Sequence, residues 1–124
     1  MSIKIKIEKR AEYLMAKFSG GANLQEIGQR FEALAVRCRK EKKHKLLIDV
    51  TAINAAPTFS DRYRAGESAV VFAEFGIKIA MVGMTELMDP RRLGELVAQN
   101  RGVDGRVFTD LAAAEEWLLE KKES

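Results

Sequence analysis

Ile3, Ile5 and Ile7 alternate with Lys4, Lys6 and Glu8, the period-two pattern of a strand with one face in water. Lysines along that wet face suit a sheet edge, where charge discourages pairing with other chains. After the polar break KRAE, the run YLMAKFSG (Tyr13 to Gly20) reads as a second strand, so the two predict an antiparallel hairpin. Gly20 and Gly21 then open a turn. Asn23 caps a helix and Glu26 follows three positions on, a capping-box arrangement. Leu24, Ile27, Phe31, Leu34, Ala35 and Cys38 share one helical face, while Gln25, Arg30, Glu32 and Arg37 lie elsewhere. That spacing predicts one helix from Asn23 to about Arg39.

LLIDV, from Leu46, is a continuous apolar run of the kind found in strands covered on both faces. A helix is expected from Thr58 or Ser60, with Phe59, Tyr63, Gly66, Val70 and Ala73 on one stripe, and Gly76 stands where a left-handed terminator belongs. IKIAMVG (Ile77 to Gly83) is the next strand. Asp89-Pro90 marks a helix start, Leu93, Leu96 and Val97 its inner face, and Gly102 its end. GRVFTD forms the last strand. Thr109 or Asp110 caps a final helix carrying Leu111, Ala114, Trp117 and Leu118. Strands alternating with helices imply parallel pairing through right-handed crossovers. The expected fold is α/β: a mixed, mostly parallel five-stranded sheet with four helices, its first strand an antiparallel edge.

At 124 residues, with 47% hydrophobic and 31% charged positions, the chain reads as one domain spanning 1–124 that needs no staples to hold a core. The net charge of +3 is unevenly spread: Arg37, Arg39, Lys40, Lys42, Lys43 and Lys45 crowd one segment. Such a run forms either a patch for nucleic acid or anionic lipid, or a solvated helix end whose cations complement the helix dipole. No aromatic is interleaved in the run to stack on bases, which disfavours nucleic acid. Cys38 is the sole cysteine, so no intrachain disulfide forms and a reducing cytoplasm fits. Its apolar face marks a small core residue rather than a nucleophile. The first ten residues lack the apolar stretch of a signal peptide, and no run reaches membrane-spanning length, so the expected location is cytoplasmic with no membrane span.

In open sheets of this type, ligands bind beyond the carboxyl ends of the parallel strands. The segments expected there are Ser19 to Gly21, Asp49 to Ser60, Gly83 to Thr85, and Thr109 with Asp110. Gly20, Gly21, Thr51, Gly83, Thr85 and Thr109 form a candidate ligand rim. Helix N-termini at that edge favour anions or phosphorylated side chains. No catalytic set fills it. His44, the only histidine, falls on the opposite edge, which removes both metal binding and a Ser/His/Asp triad. The dinucleotide and P-loop glycine patterns are absent. Asp49, Asp61, Asp89 and Asp110 offer acid–base pairs, yet three of them stand at helix starts, where capping explains them. The expectation is no enzyme, no metal and no cofactor.

The strand LLIDV with its loop and helix, then IKIAMVG, then the ending RVFTDLAAAEEWL, resemble the SpoIIAA-like branch of the STAS domains, the anti-sigma-factor-antagonist fold. The resemblance implies a non-enzymatic regulatory or protein-interaction module. Its partner would dock through the helix after the central strand and the loop before it. In those antagonists a serine or threonine at that helix start is phosphorylated by a partner kinase, and the matching positions here are Thr58 and Ser60, flanked by Asp49 and Asp61. The family's D-S-S-G-like string is replaced by APTFSDR, and an N-cap hydroxyl is the other reading of both residues. The branch is also compared with the CRAL-TRIO lipid carriers, which gives an alternative: a carrier or sensor of a small apolar or anionic ligand. Phe59, Tyr63, Val71, Phe72, Phe75, Met81, Met84, Leu87 and Met88 would then line a pocket, or else form core. VVFAEF is apolar around much of its helix, which points to burial against something extra, such as a second copy in a homodimer.

Overall fold

The computed structural model describes residues 3–20, 24–53, 59–83 and 93–120. Five strands form one sheet in sequential order: β1 (Lys4–Lys9), β2 (Leu14–Ser19), β3 (Lys45–Asp49), β4 (Lys78–Val82) and β5 (Gly105–Phe108). The β1–β2 hairpin is antiparallel, pairing Ile5 with Phe18 and Lys6 with Lys17. The other three pairings are parallel, with Leu14 opposite Leu46, Leu46 opposite Ile79, and Ile79 opposite Gly105. The mixed, mostly parallel sheet with an antiparallel edge is as the sequence predicts.

Strict sequential order has a consequence for layering. Right-handed crossovers that always step in one direction deliver their helices to the same face. α1 (Leu24–Gly28), α2 (Phe31–Lys40), α3 (Phe59–Ser68), α4 (Val70–Glu74) and α5 (Leu93–Asn100) all belong to those crossovers, and only α6 (Leu111–Leu119) follows the last strand. Two cores result. Leu14, Ala16, Phe18, Leu46, Ile48 and Ile79 face Phe31, Leu34, Phe72 and Ala98. On the reverse side Tyr13, Met15, Leu47, Ala80 and Val82 lie under Ala114 and Leu118. Successive strand residues thus enter opposite cores, as the two-residue period requires. Among the described residues no helix is long and apolar enough to cross a membrane.

The four helical regions of the sequence reading are present, two of them divided. The helix expected to run unbroken to Arg39 is split before Phe31, where Arg30 bonds back to the Ile27 carbonyl at 3.0 Å, a three-residue step. A similar step at Ala69 separates α3 from α4, with the Phe72 N–H on the Ala69 carbonyl at 2.9 Å. Phe31 follows the first break and Phe72 the second, and their rings meet at 5.1 Å.

Two expected inner-face positions, Tyr63 and Leu96, are corrected. They are 39% and 49% exposed, whereas Ala65, Ala69, Phe72, Val97 and Ala98 turn inward. Small residues win because the helices approach closely: a Cβ on Gly28 of α1 would lie 3.4 Å from the Ala65 Cα of α3. Bulk at the contact would push the helices apart, so the larger side chains go outside.

β5 is a sheet edge, and α5 covers its open backbone. The Val107 N–H donates to the Glu95 carboxylate at 2.7 Å, and the Gln99 amide donates to the Gly105 carbonyl at 2.9 Å. Side chains thereby occupy bonding positions that another strand would otherwise use.

Candidate functional site

Parallel β2 to β5 end on one rim, and Gly20, Thr51, Gly83 and Thr109 follow those strand ends. The rim is knitted by backbone bonds beyond the strands: Val50 N–H to the Val82 carbonyl at 2.8 Å, and Gly83 N–H to Phe108 at 3.0 Å. Thr51 and Thr109 are exposed, whereas Gly83 is buried, its absent Cβ facing a Val50 methyl at 3.5 Å. Gly20 has φ 102°, a left-handed backbone that suits glycine at the turn leaving β2. Gly21, Thr58, Thr85 and Asp89 lie outside the described residues, as do Met84, Leu87 and Met88.

Asp49 and Asp110 each have a local task at this rim. Asp49 Oδ1 accepts from the Thr51 backbone N–H at 2.9 Å and from its hydroxyl at 2.6 Å, closing a turn at the end of β3. Asp110 caps α6, accepting from the Ala113 N–H at 3.2 Å, so the cap is Asp110 and not Thr109. Ser60 and Asp61 lie inside α3, and an N-cap must be non-helical, so the capping reading of Ser60 does not apply. Ser60 is exposed instead. Among the described residues no three His, Cys, Asp or Glu side chains cluster as metal ligands do.

The strand order also bears on what the rim can hold. Doubly wound sheets bind ligands where adjacent crossovers part to opposite faces and leave a crevice. Here the helices of every crossover lie on one side, so that particular crevice is absent among the described residues, and at the start of α3 Ser60 is exposed. From Ser60, α3 continues to Tyr63 and then Glu67, which pairs with Arg101 at 3.4 Å. The Arg101 guanidinium lies 5.9 Å from the Tyr63 ring centroid, and the exposed Leu96 stands on the same neighbouring helix region. Tyr63 and Leu96 face outward, which a search for inner faces misreads. The alanine spacing at Ala65 and Ala69 is the signal that would have reversed it.

Several supposed pocket residues are core. Phe72 is fully buried against Phe31, and Val71, Phe75 and Met81 pack partly buried against the same cluster. Cys38 is buried too, and burial pushes its thiol up to about 11, where almost no thiolate exists at neutral pH. On the reverse face Tyr13 donates its hydroxyl to Glu115 of α6. Burial, then that bonded carboxylate, pushes the Tyr13 hydroxyl up to about 12 from an ordinary 10.0. A raised folded-state value means the protonated form stabilises the fold below pH 10, and that contribution is lost as pH climbs through about 12. Ultraviolet titration is expected to show a late tyrosinate step near pH 12 that disappears in Tyr13→Phe.

No protein-family model matches the sequence, and no curated protein matches it either. Solved structures do. An anti-sigma factor antagonist from Mycobacterium paratuberculosis superposes with a TM-score of 0.63 at 14% identity, covering 96% of each chain. RsbS from Moorella thermoacetica, solved as a variant, gives 0.58 at 18% identity over 93% of this chain and 94% of its own. A DUF3478-family protein with a SpoIIAA-like fold from Shewanella loihica gives 0.55 at 19%, over 94% and 93%. The class is therefore settled at the level of architecture: this is the SpoIIAA-like, or STAS, fold over nearly its full length.

Proposed function

We propose that the chain is a STAS-type regulatory module that acts by binding a protein partner through α3 and the loop that precedes it. The observation that carries this reading is the outward face of α3, where Ser60 and Tyr63 are exposed while the buried Ala65 packs the helix close to Gly28 of α1. Aromatic side chains presented on rigid helices are what protein interfaces use as anchors. The neighbours include an anti-sigma factor antagonist, and that kind of role is consistent with a module that binds rather than catalyses. Phosphorylation of Ser60 would place a dianion beside Tyr63 and switch docking through charge. The expected partner is a protein, met in the cytoplasm.

The test is capture from the native cytosol with wild type, Ser60→Asp, Tyr63→Asp and, as a control on the opposite face, Glu116→Lys. A partner retained by wild type and Glu116→Lys, and lost about tenfold or more with Tyr63→Asp, is the expected result, since interface anchors are each worth ~2 kcal/mol or more. Equal capture by all four proteins would remove α3 as the docking element.

A further inference from the structure

The opposite edge of the sheet, where β3 and β4 begin, holds a cleft of about 270 Å³ lined by Arg39, Lys42, Lys43, His44, Phe75 and Ile77. The sequence places the cations in one run and no aromatic among them. The fold supplies one: the end of α4 brings Phe75 beneath Arg39, whose guanidinium lies 4.1 Å from the ring centroid. Cations and an apolar floor thus share one concavity.

The charge here exceeds what the helix end needs. Residues 39–45 carry five lysines and arginines against one carboxylate, Glu41. Glu41 is already matched from outside that run, by Lys9 at 3.0 Å and Arg37 at 3.8 Å. The C-terminal pole of α2 amounts to only about half a unit of negative charge, which Arg37 and Arg39 more than offset. The Lys43 ammonium is anchored by one bond to the Ala11 carbonyl at 2.7 Å, leaving its other donors free, and no ion pair involves Arg39, Lys42 or His44 among the described residues.

Backbone conformation supplies an independent observation. Three helices end in the same motif, with paired bonds from Lys42 and Lys43, from Gly76 and Ile77, and from Gly102 and Val103 back to the last turn. The residue that must turn left-handed is glycine in two of them, at φ 67° and 87°, but lysine in the third, at φ 58°. Glycine is the residue that fits, and Lys42 stands in the cleft instead. Strain accepted at one position, with unstrained equivalents in the same molecule, marks a side chain kept for what it does.

We propose that this cleft binds an organic phosphate monoester, its phosphate held by Arg39, Lys42, Lys43 and His44 and its apolar body against Phe75. A planar guanidinium with neighbouring ammoniums matches the oxygen pattern and double charge of such a group. The site lies at the opposite edge of the sheet from the α3 rim, and its test is independent of partner docking.

Calorimetric titration with phenyl phosphate and with inorganic phosphate, on wild type, Lys42→Gly and Phe75→Leu, tests the assignment. Wild type is expected to bind phenyl phosphate about tenfold more tightly than inorganic phosphate, and Phe75→Leu to narrow that gap. Lys42→Gly is expected to raise Tm by about 2–4 °C while weakening both ligands about three- to tenfold. Equal affinity for the two ligands, or Lys42→Gly with unchanged affinity, overturns the proposal. Flotation with phosphatidylcholine vesicles, with and without phosphatidic acid, separates the sources. Binding to the phosphatidic acid vesicles without binding of phenyl phosphate overturns the soluble-ligand assignment in favour of a membrane headgroup.

Discussion

Phe72→Ala is expected to remove about 3–5 kcal/mol of folding stability, the usual loss when a large buried ring leaves a cavity. Phe72 is fully inaccessible, its ring is tilted 51° to that of Phe31, and it sits where α4 closes on the sheet. Its neighbours come from α2 and from the strands, so no single element can collapse to fill the space. A domain of this size has about 5–15 kcal/mol in total, so the variant stands near the edge of folding. Urea unfolding should show a large drop in midpoint with an unchanged slope. Phe75→Ala, three residues on and only half-buried, should shift the midpoint far less. Similar shifts for both would mean that the core is not centred where Phe31 and Phe72 meet.

Leu118→Ala is the second large effect, expected at about 2–5 kcal/mol. Its weight comes from topology. Among the described residues, α6 is the one helix that covers Leu47, Ala80 and Val82, on the face of the sheet opposite the Phe31 and Phe72 core. Leu118 is fully buried there, with Ala114 one turn before it. Trp117, the only tryptophan, reports on this element, since it stacks near Phe108 at 5.7 Å and holds the Lys78 ammonium 4.3 Å above its ring. Because α6 seals the central strands, Trp117 fluorescence and far-ultraviolet dichroism should lose structure together in wild type and variant alike. A fluorescence change that precedes the loss of secondary structure would show α6 to be an appendage.

Much of this architecture was legible in the chain. The Ile3–Ile5–Ile7 alternation marked the edge strand, the apolar LLIDV a buried one, and Gly76 and Gly102 the helix ends, because each signal is local: one residue's conformational need or a short periodicity. Errors arose where neighbours decide. Tyr63 and Leu96 fit an apolar stripe equally well facing in or out, and only the close approach of α1 to α3 at Gly28 and Ala65 selects the small residues for the inside. The left-handed Lys42 carried no signal at all, since lysine is not a residue one expects there. The same holds for the basic cleft. Phe75 is far from Arg39 in sequence, so the aromatic missing from the run became visible only when α4 was laid beside α2. At the rim, Asp110 is the helix cap that its position suggests, Asp49 closes a turn on Thr51 that its place after an apolar strand did not announce, and Ser60 is an exposed helical position rather than a cap.

The claim that α3 is the docking element is tested most directly by a photo-crosslinking residue placed at Tyr63 and, separately, at Glu116 on α6, with irradiation in living cells. A single protein adduct from position 63, absent from position 116 and abolished by adding Ser60→Asp, is the predicted result. Adducts of the same mass from both positions, or from 116 alone, would contradict it.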